Sequence, residues 1–348
     1  MTKPQTSSQL KVGVIGTGTM GQRHCRVFST LRGVELAGTY DADTVIGQKI
    51  ANQYSVPFYS SIDDLLTNVD AVSVAVPTPV HFELAMRCLE RGVHVLVEKP
   101  ITATLEQAQR LTETAEKSDL IMQVGHIERF NPTYIELTHV LENRQLATVN
   151  FQRLSAFESS NTDVDVVLDL MIHDIDLMLH LVGQEPIDFS AQGLSVFSNT
   201  IDHATVQFRF ERGPLLNLTA SRITEQKIRC IQATSLDAYI EANLLQKSIM
   251  VHRRTVGEYL SPNQAGVKYR QESIVEYIHV PAYEPLFLEL EHFIKSILDR
   301  TVAPQVPARD GYKALKIAFD IRDAINQRLV HIKQPVPELT AAPLGMAA

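Results

Sequence analysis

The sequence predicts an α/β unit followed by an α+β unit. Three observations carry this expectation. Residues 10–124 alternate short, nearly continuous apolar runs with helical patterns, as in a parallel sheet covered on both faces. After about residue 125, β-rich runs follow one another with few helices between them, which indicates an antiparallel sheet with helices against it. The chain's 348 residues also exceed what one hydrophobic core holds, so two domains are expected. The expected division is 1–124, 125–333 and a Pro- and Ala-rich, loosely ordered tail at 334–348.

In the first unit, strands are expected at 11–15, 34–40, 70–76, 93–97 and 120–124. Helices are expected at 20–31, 45–54, 62–66, 81–91 and 105–118. Pro77 and Pro79 stop the third strand and Pro100 the fourth, because proline cannot donate to a ladder. Gly92 ends the helix before the fourth strand. In the second unit, a helix at 132–143 leads into a strand at 148–157, and a helix covers 165–182. Strands follow at 188–197, 203–212, 215–222, 227–234 and 237–243, then amphipathic helices at 284–300 and 309–329. There is no internal repeat and no low-complexity block.

Bulk properties narrow the function classes. Hydrophobic residues make up 45% and charged residues 21%, ordinary for a globular protein. A net charge of −8 without a large basic cluster weighs against nucleic acid as a partner. Cys25, Cys88 and Cys230 match no zinc or redox spacing and read as free thiols of a reducing compartment. The polar N-terminus lacks the apolar stretch of a signal peptide, and no run is long enough to span a membrane. A cytoplasmic location is the expectation.

The most specific local signal is Gly16-Thr17-Gly18-Thr19-Met20-Gly21. A G-x-G-x-x-G string alone is weak, but this one follows a strand and opens a helix, as a dinucleotide-binding Rossmann domain requires. Gly16 permits the tight turn, Gly18 lets the backbone approach a pyrophosphate, and Gly21 allows close helix–sheet packing. Thr19 and Met20 open the helix, whose N-terminus offers free N–H groups and a positive dipole end. Asp41, at the end of the second strand, suits the adenosine ribose hydroxyls and repels a 2′-phosphate, which favours NAD over NADP. A second ligand-facing edge follows the third strand, where Pro77, Thr78 and His81 stand. For His81 an exposed position in the first helical turn is an equal reading. Glu98-Lys99-Pro100 closes the fourth strand, and Pro100 biases Lys99 toward an extended backbone at the strand's carboxyl end. There Glu98 and Lys99 lie in reach of a bound nicotinamide, and Lys99 in reach of a substrate hydroxyl. The bland reading of Lys99 is a surface lysine beside a turn.

With these residues in hand, the sequence resembles the Gfo/Idh/MocA family of sugar and polyol oxidoreductases over almost its whole length. The resemblance rests on the glycine loop, on Glu98-Lys99-Pro100, on Val124-Gly125-His126-Ile127-Glu128-Arg129-Phe130-Asn131-Pro132, and on Asp169-Leu170-Met171-Ile172-His173-Asp174-Ile175-Asp176. It implies a C-terminal domain with a large, open, mostly antiparallel sheet flanked by helices, which shapes the substrate pocket and forms homodimers or homotetramers. It also implies that Lys99 contacts cofactor and substrate, and that Asp169 and His173 form the catalytic pair.

Asp169 and His173 are four apart in a helical pattern and so share a face. Oxidising a secondary alcohol requires removal of the hydroxyl proton as hydride leaves the carbon, and neutral His suits that near pH 7. The carboxylate then orients the ring or binds substrate, and Lys99 stabilises the charge developing on the same oxygen. The plainer reading of His173 is an ordinary helical histidine. A zinc reading from His173, Asp176 and His180 lacks the usual spacing and a further ligand, so no metal is expected. Asp176 supports the helix end or lines the pocket.

Arg129 and Phe130 follow the last Rossmann strand, and Arg153 and Arg222 lie on strands of the second unit. Arginines projecting into a cleft suit a phosphorylated anion, so Arg129, Phe130 and Arg153 join Lys99, Asp169 and His173 as the expected substrate site. For each arginine alone, ordinary surface charge is as good a reading. Within the family, the crossover at 126–132 and the stretch at 166–177 look most like the UDP-N-acetylglucosamine 3-dehydrogenase branch. That branch oxidises C3 of the sugar for amino-sugar lipid A synthesis and passes the 3-keto product to an aminotransferase. Competing expectations are a dehydrogenase of another sugar or an inositol-like polyol, and a non-catalytic NAD-sensing regulator. The regulator is disfavoured because Lys99, Asp169 and His173 are all present.

Overall fold

The computed structural model describes residues 9–158, 164–260 and 267–331, so the N-terminal segment 1–8 and the expected tail at 334–348 lie outside the described residues. The first sheet contains β1 (Leu10–Ile15), β2 (Val34–Tyr40), β3 (Ala71–Val74), β4 (His94–Glu98) and β5 (Met122–Gly125), all parallel, in the order β2-β1-β3-β4-β5. These strands are buried on both faces, which is why they read as apolar runs rather than as alternation. The covering helices are α1 (Thr19–Phe28), α2 (Thr44–Tyr54), α3 (Ile62–Thr67), α4 (His81–Glu90) and α5 (Leu105–Lys117). Asp43 caps α2 by accepting from the amides of Val45 and Ile46, and Thr104 caps α5 by accepting from Gln107. β3 is shorter than its apolar run, because Pro77 leads into a 3₁₀ turn at Thr78–Val80. The strand order reverses between β1 and β3, so a crevice opens outside their carboxyl ends.

Among the described residues the second sheet has nine strands. Helix α6 (Pro132–Leu141) leads into β6 (Leu146–Leu154), and α7 (Ile172–Val182) precedes β7 (Asp188–Ser195), β8 (His203–Arg209) and β9 (Leu215–Ser221). Then come β10 (Ile228–Ser235), β11 (Ala238–Asn243), β12 (Ser248–Leu260) and β13 (Val267–Ile278), and last α8 (Pro285–Leu298), α9 (Ala308–Asn326) and β14 (Val330–His331). The order is β13-β12-β11-β10-β6-β9-β8-β7-β14, antiparallel except for the β6–β9 and β7–β14 pairs. One face carries Val149, Phe151, Val206, Phe208, Leu218 and Ile231 into the core shared with α7 and α9. The other face presents a polar ladder in which Gln207 donates to Asn217 and Asn217 to Asn150. Alternation made β6 to β11 readable. β12, β13 and β14 were not anticipated. Beyond Val251 the residues of β12 are His252-Arg253-Arg254-Thr255, which break the apolar period, and β14 is a two-residue pairing that only its partner β7 defines.

The helix expected at 165–182 divides in two. Asp165 caps its start, accepting from the amides of Val167 and Leu168, and a π-helical turn at Val167–Met171 precedes α7. A π turn closes i to i+5 bonds, so it rotates the residues before it relative to those after it.

Helix α8 belongs in space to the first sheet. Leu286, Leu290, Phe293 and Ile297 share a core with Val12, Val14, Phe28 and Leu96. The amide of Val124 donates to the carbonyl of Val306 at 2.9 Å, so the segment before α9 also runs along β5. A side chain at Gly311 would meet Val124 Cγ2 at 2.8 Å, so the glycine lets α9 approach that strand. Among the described residues, no helix is long and apolar enough to cross a membrane.

Candidate functional site

The glycine loop lies at the crevice. Gly16 has φ +88°, and a Cβ there would come within 2.5 Å of the Ala75 carbonyl. A Cβ on Gly21 would lie 1.8 Å from the Gly16 carbonyl, so α1 packs against its own loop only without a side chain. Gly18 is the opposite case, with nothing within 4 Å of a Cβ built there, which leaves open space in front of α1. Gly18 also occupies the N-cap of α1 without any side-chain cap, and Thr19 and Met20 form the accessible first turn. Uncapped N–H groups facing open space suit an anion. Asp41, just past β2, accepts from the Thr17 amide at 2.5 Å, from Thr17 Oγ1 at 2.6 Å and from the Asp43 amide at 2.8 Å. It therefore ties the end of β2 to the glycine loop and remains half-buried at the crevice edge. These residues fit a dinucleotide with free ribose hydroxyls.

The ends of β3 and β4 are held by His81. Its ring is buried, with Nε2 at 2.8 Å from the Val76 carbonyl and Nδ1 at 2.9 Å from the Pro100 carbonyl. This corrects both readings of His81: both ring nitrogens are engaged with backbone, and it locks the two loops instead of meeting a ligand or solvent. Pro77 and Thr78 stay accessible at the start of the 3₁₀ turn.

Glu98 points under the crevice. Its Oε1 lies 3.1 Å from His24 Nε2, whose other nitrogen lies 2.6 Å from Ser73 Oγ. Burial works to raise the Glu98 proton affinity, but His24 and the Lys99 ammonium outweigh it and hold the carboxyl below its ordinary range. Gly125 leaves room for this carboxylate, since a Cβ there would lie 3.1 Å from Glu98 Oε2.

Lys99 projects from the end of β4 to the π turn. Its Nζ donates to the Asp169 carbonyl at 2.8 Å and lies 3.4 Å from Asp169 Oδ1. His173 sits in the first turn of α7, with Nδ1 sealed from solvent and without a partner among the described residues. Burial, with the charges of Lys99, Arg153, His126 and Arg229, drives its proton affinity well below the ordinary 6.5. The rings of His126 and His173 stand edge to face at 6.3 Å. The structure thus brings Lys99, Asp169 and His173 into one site, with one change from expectation. Asp169 engages Lys99, and no hydrogen bond joins it to the His173 ring. The cause is the π turn, which ends the simple i to i+4 alignment of the two residues.

The arginines expected to reach substrate are instead consumed by carboxylates. Arg129 is 2% exposed and binds Asp176 at 2.7 and 2.9 Å and Asp310 at 3.1 Å. Arg153 is 2% exposed and spans Asp174, at 2.7 Å from Nη2, and Glu128, at 2.8 Å from Nη1. Arg222 is paired with Asp202 at 2.7 Å. Phe130 is buried against His292. These assignments to substrate are corrected: a buried guanidinium needs its charge matched, and the matching acids lie far away in sequence. Asp176 is taken by Arg129 and His180 by Tyr134 Oη at 2.7 Å, so neither stands free beside His173 for a metal.

Arg153→Ala is expected to lower stability by about 3–5 kcal/mol, because it leaves Asp174 and Glu128 buried without their common cation. A urea titration followed by circular dichroism checks this, and an unchanged midpoint would show the network to be dispensable.

Sequence reasoning missed Arg229, Glu128 and Asp174. The signal for Arg229 was strand parity, since it shares the inward face of β10 with Ile231 and Ala233.

Comparison with known proteins places this geometry in context. Residues 10–126 match the oxidoreductase family with NAD-binding Rossmann fold, GFO_IDH_MocA, and residues 137–235 match the GFO/IDH/MocA C-terminal domain. UDP-N-acetylglucosamine 3-dehydrogenase of Acidithiobacillus ferrooxidans is 32% identical over 91% of this chain and 97% of its own. A solved structure of that protein superposes with a TM-score of 0.81, covering 91% of this chain and 98% of the other at 30% identity. Myo-inositol 2-dehydrogenase of Thermotoga maritima is 25% identical over 92% of this chain and 97% of its own.

Proposed function

The chain belongs to the GFO/IDH/MocA family of NAD-dependent oxidoreductases, and on that premise we propose that it oxidises C3 of UDP-N-acetylglucosamine to the 3-keto sugar. The observation that carries the chemistry is the meeting of Lys99, Asp169 and a buried, cation-surrounded His173 at the carboxyl end of β4. The choice of sugar is supported by full-length similarity to a UDP-N-acetylglucosamine 3-dehydrogenase.

NAD, when bound, supplies the hydride acceptor. The chain's own residues do the rest. The N-terminus of α1 at Gly18 would hold the pyrophosphate, and Asp41 would hold the adenosine ribose. His173 takes the hydroxyl proton through Nε2, since Nδ1 is sealed from solvent. The surrounding cations keep the ring neutral and ready to accept it. Lys99 donates a hydrogen bond to the same oxygen and opposes its growing negative charge as the carbonyl forms. Asp169 holds the ammonium in place from the π turn. The product is a ketone suited to an aminotransferase, in line with a role in amino-sugar lipid A synthesis in the cytoplasm. The polar face of the nine-stranded sheet is the surface on which a homodimer or homotetramer would form.

The test is direct. Purified protein is mixed with NAD and UDP-N-acetylglucosamine, with an aminotransferase and glutamate to draw off the ketone, and NADH absorbance is followed. NADH formation is expected. Turnover with free inositol and none with UDP-sugars would replace this reading by a polyol dehydrogenase.

A further inference from the structure

We propose that Arg229 is the anion anchor of the pocket, the side chain that binds the diphosphate of a nucleoside-diphosphate sugar. The assignment rests on the nucleotide-sugar reading above and adds to it the group that selects the substrate class.

Placement comes first. Ile231 and Ala233 of β10 are buried on the helix-covered face, and the two-residue period of a strand puts Arg229 on that same face. Arg229 pairs in register with Arg153 on β6, so the two guanidiniums stand side by side facing α7. Arg153 holds Asp174, the residue after His173, and Arg229 meets Arg153 on the same Glu128 oxygen, which sets both at the catalytic end of the sheet. The dinucleotide loop belongs to the other sheet, between β1 and α1. Arg229 therefore belongs to the wall that faces the substrate and not to the cofactor's phosphate site.

The neighbouring cations are already satisfied. Arg153 spends Nε and Nη2 on Asp174 and Nη1 on Glu128. Lys99 is held by Asp169. Among the described residues Arg229 gives only Nη1, to Glu128 Oε1 at 2.9 Å, and it shares that oxygen with Arg153. Its side chain stays 29% exposed, while that of Arg153 is 2% exposed. Among the described residues Nη1 is the atom through which it hydrogen-bonds, and in a partly exposed side chain the remaining donors are open to a ligand. Burial, with the charge of Arg153, makes its protonated form harder to hold than usual. A partly desolvated guanidinium with two free donors gains more than a hydrated one from a phosphate, which it meets as a planar fork.

The experiment uses the NAD-loaded protein. In Arg229→Gln the KM for UDP-N-acetylglucosamine is expected to rise about tenfold or more, the loss typical of a charge-assisted hydrogen bond, with kcat largely kept. The dissociation constant of UDP alone, measured by calorimetry, should weaken by a similar factor. Arg229→Lys should recover part of both, and NAD affinity should hold. Unchanged KM and UDP affinity in Arg229→Gln would overturn the assignment while leaving the nucleotide-sugar reading intact. So would a fall in kcat or in melting temperature at constant KM, which marks a structural role. If the unaltered protein neither oxidises UDP-N-acetylglucosamine nor binds UDP, the nucleotide-sugar reading itself fails, and the anchor with it.

Discussion

His173→Asn is expected to lower kcat for sugar oxidation by about 10²- to 10⁴-fold, the range for loss of a general base, while NAD affinity stays unchanged. Asn fills much of the same space and removes the titrating nitrogen, so the fold around α7 should persist. The sign of the pH dependence follows from the burial of the ring and the charges around it. Burial, with the positive charges of Lys99, Arg153 and Arg229, holds the imidazole neutral until well below 6.5. The rate of the unaltered enzyme should therefore show no His173 limb near neutrality, and its acid limb should lie below 6.5. The same shift bears on stability. Below 6.5 the unfolded chain binds a proton at this histidine that the folded chain refuses, so stability falls with falling pH from 6.5 toward the folded-state value, and it is fully present above 6.5. Initial NADH rates from pH 5 to 9, with denaturant midpoints over the same range, check both. A variant rate equal to the parent's would remove His173 from the chemistry.

Lys99→Met should cost kcat about 10²- to 10³-fold, as loss of one donor to a developing oxyanion does. Methionine keeps most of the length and apolar stem but abandons Asp169, whose bonds to Nζ are the lysine's restraint. A second readout separates the role in catalysis from mere packing. After burial, the Lys99 ammonium is a charge that depresses His173, so its removal should move the acid limb of the residual activity to higher pH. A pH profile of the variant measures this. A rate loss with an unmoved limb would confine Lys99 to the oxyanion, and no rate loss at all would reject both parts.

The first sheet was nearly all legible because its strands are buried on both faces and their ends carry Pro or Gly. The glycine loop and Asp41 could be placed because strand, loop and helix are contiguous in sequence. Lys99, Asp169 and His173 were legible through family resemblance, and the fold then joined Lys99 to Asp169. The arginines were not. Arg129 is answered by Asp310 and Arg222 by Asp202, pairings that only the folded chain creates. Those residues read as free cationic groups in the sequence, while Arg229 was marked only by sharing the parity of Ile231 and Ala233 on its strand. The π turn was illegible for a similar reason. An apolar helical pattern from 165 to 182 does not reveal where one residue's worth of rotation is inserted.

Helix α8 gives the chain an order of assembly. The five strands of the first sheet are all made by residue 125, yet the apolar flank of α1 and β1 is closed only by residues 286–297. On the ribosome that flank emerges early and waits for roughly half the protein to be synthesised before its cover arrives. The nascent chain thus carries a hydrophobic surface through most of translation, and its dinucleotide half becomes complete only near the end of synthesis.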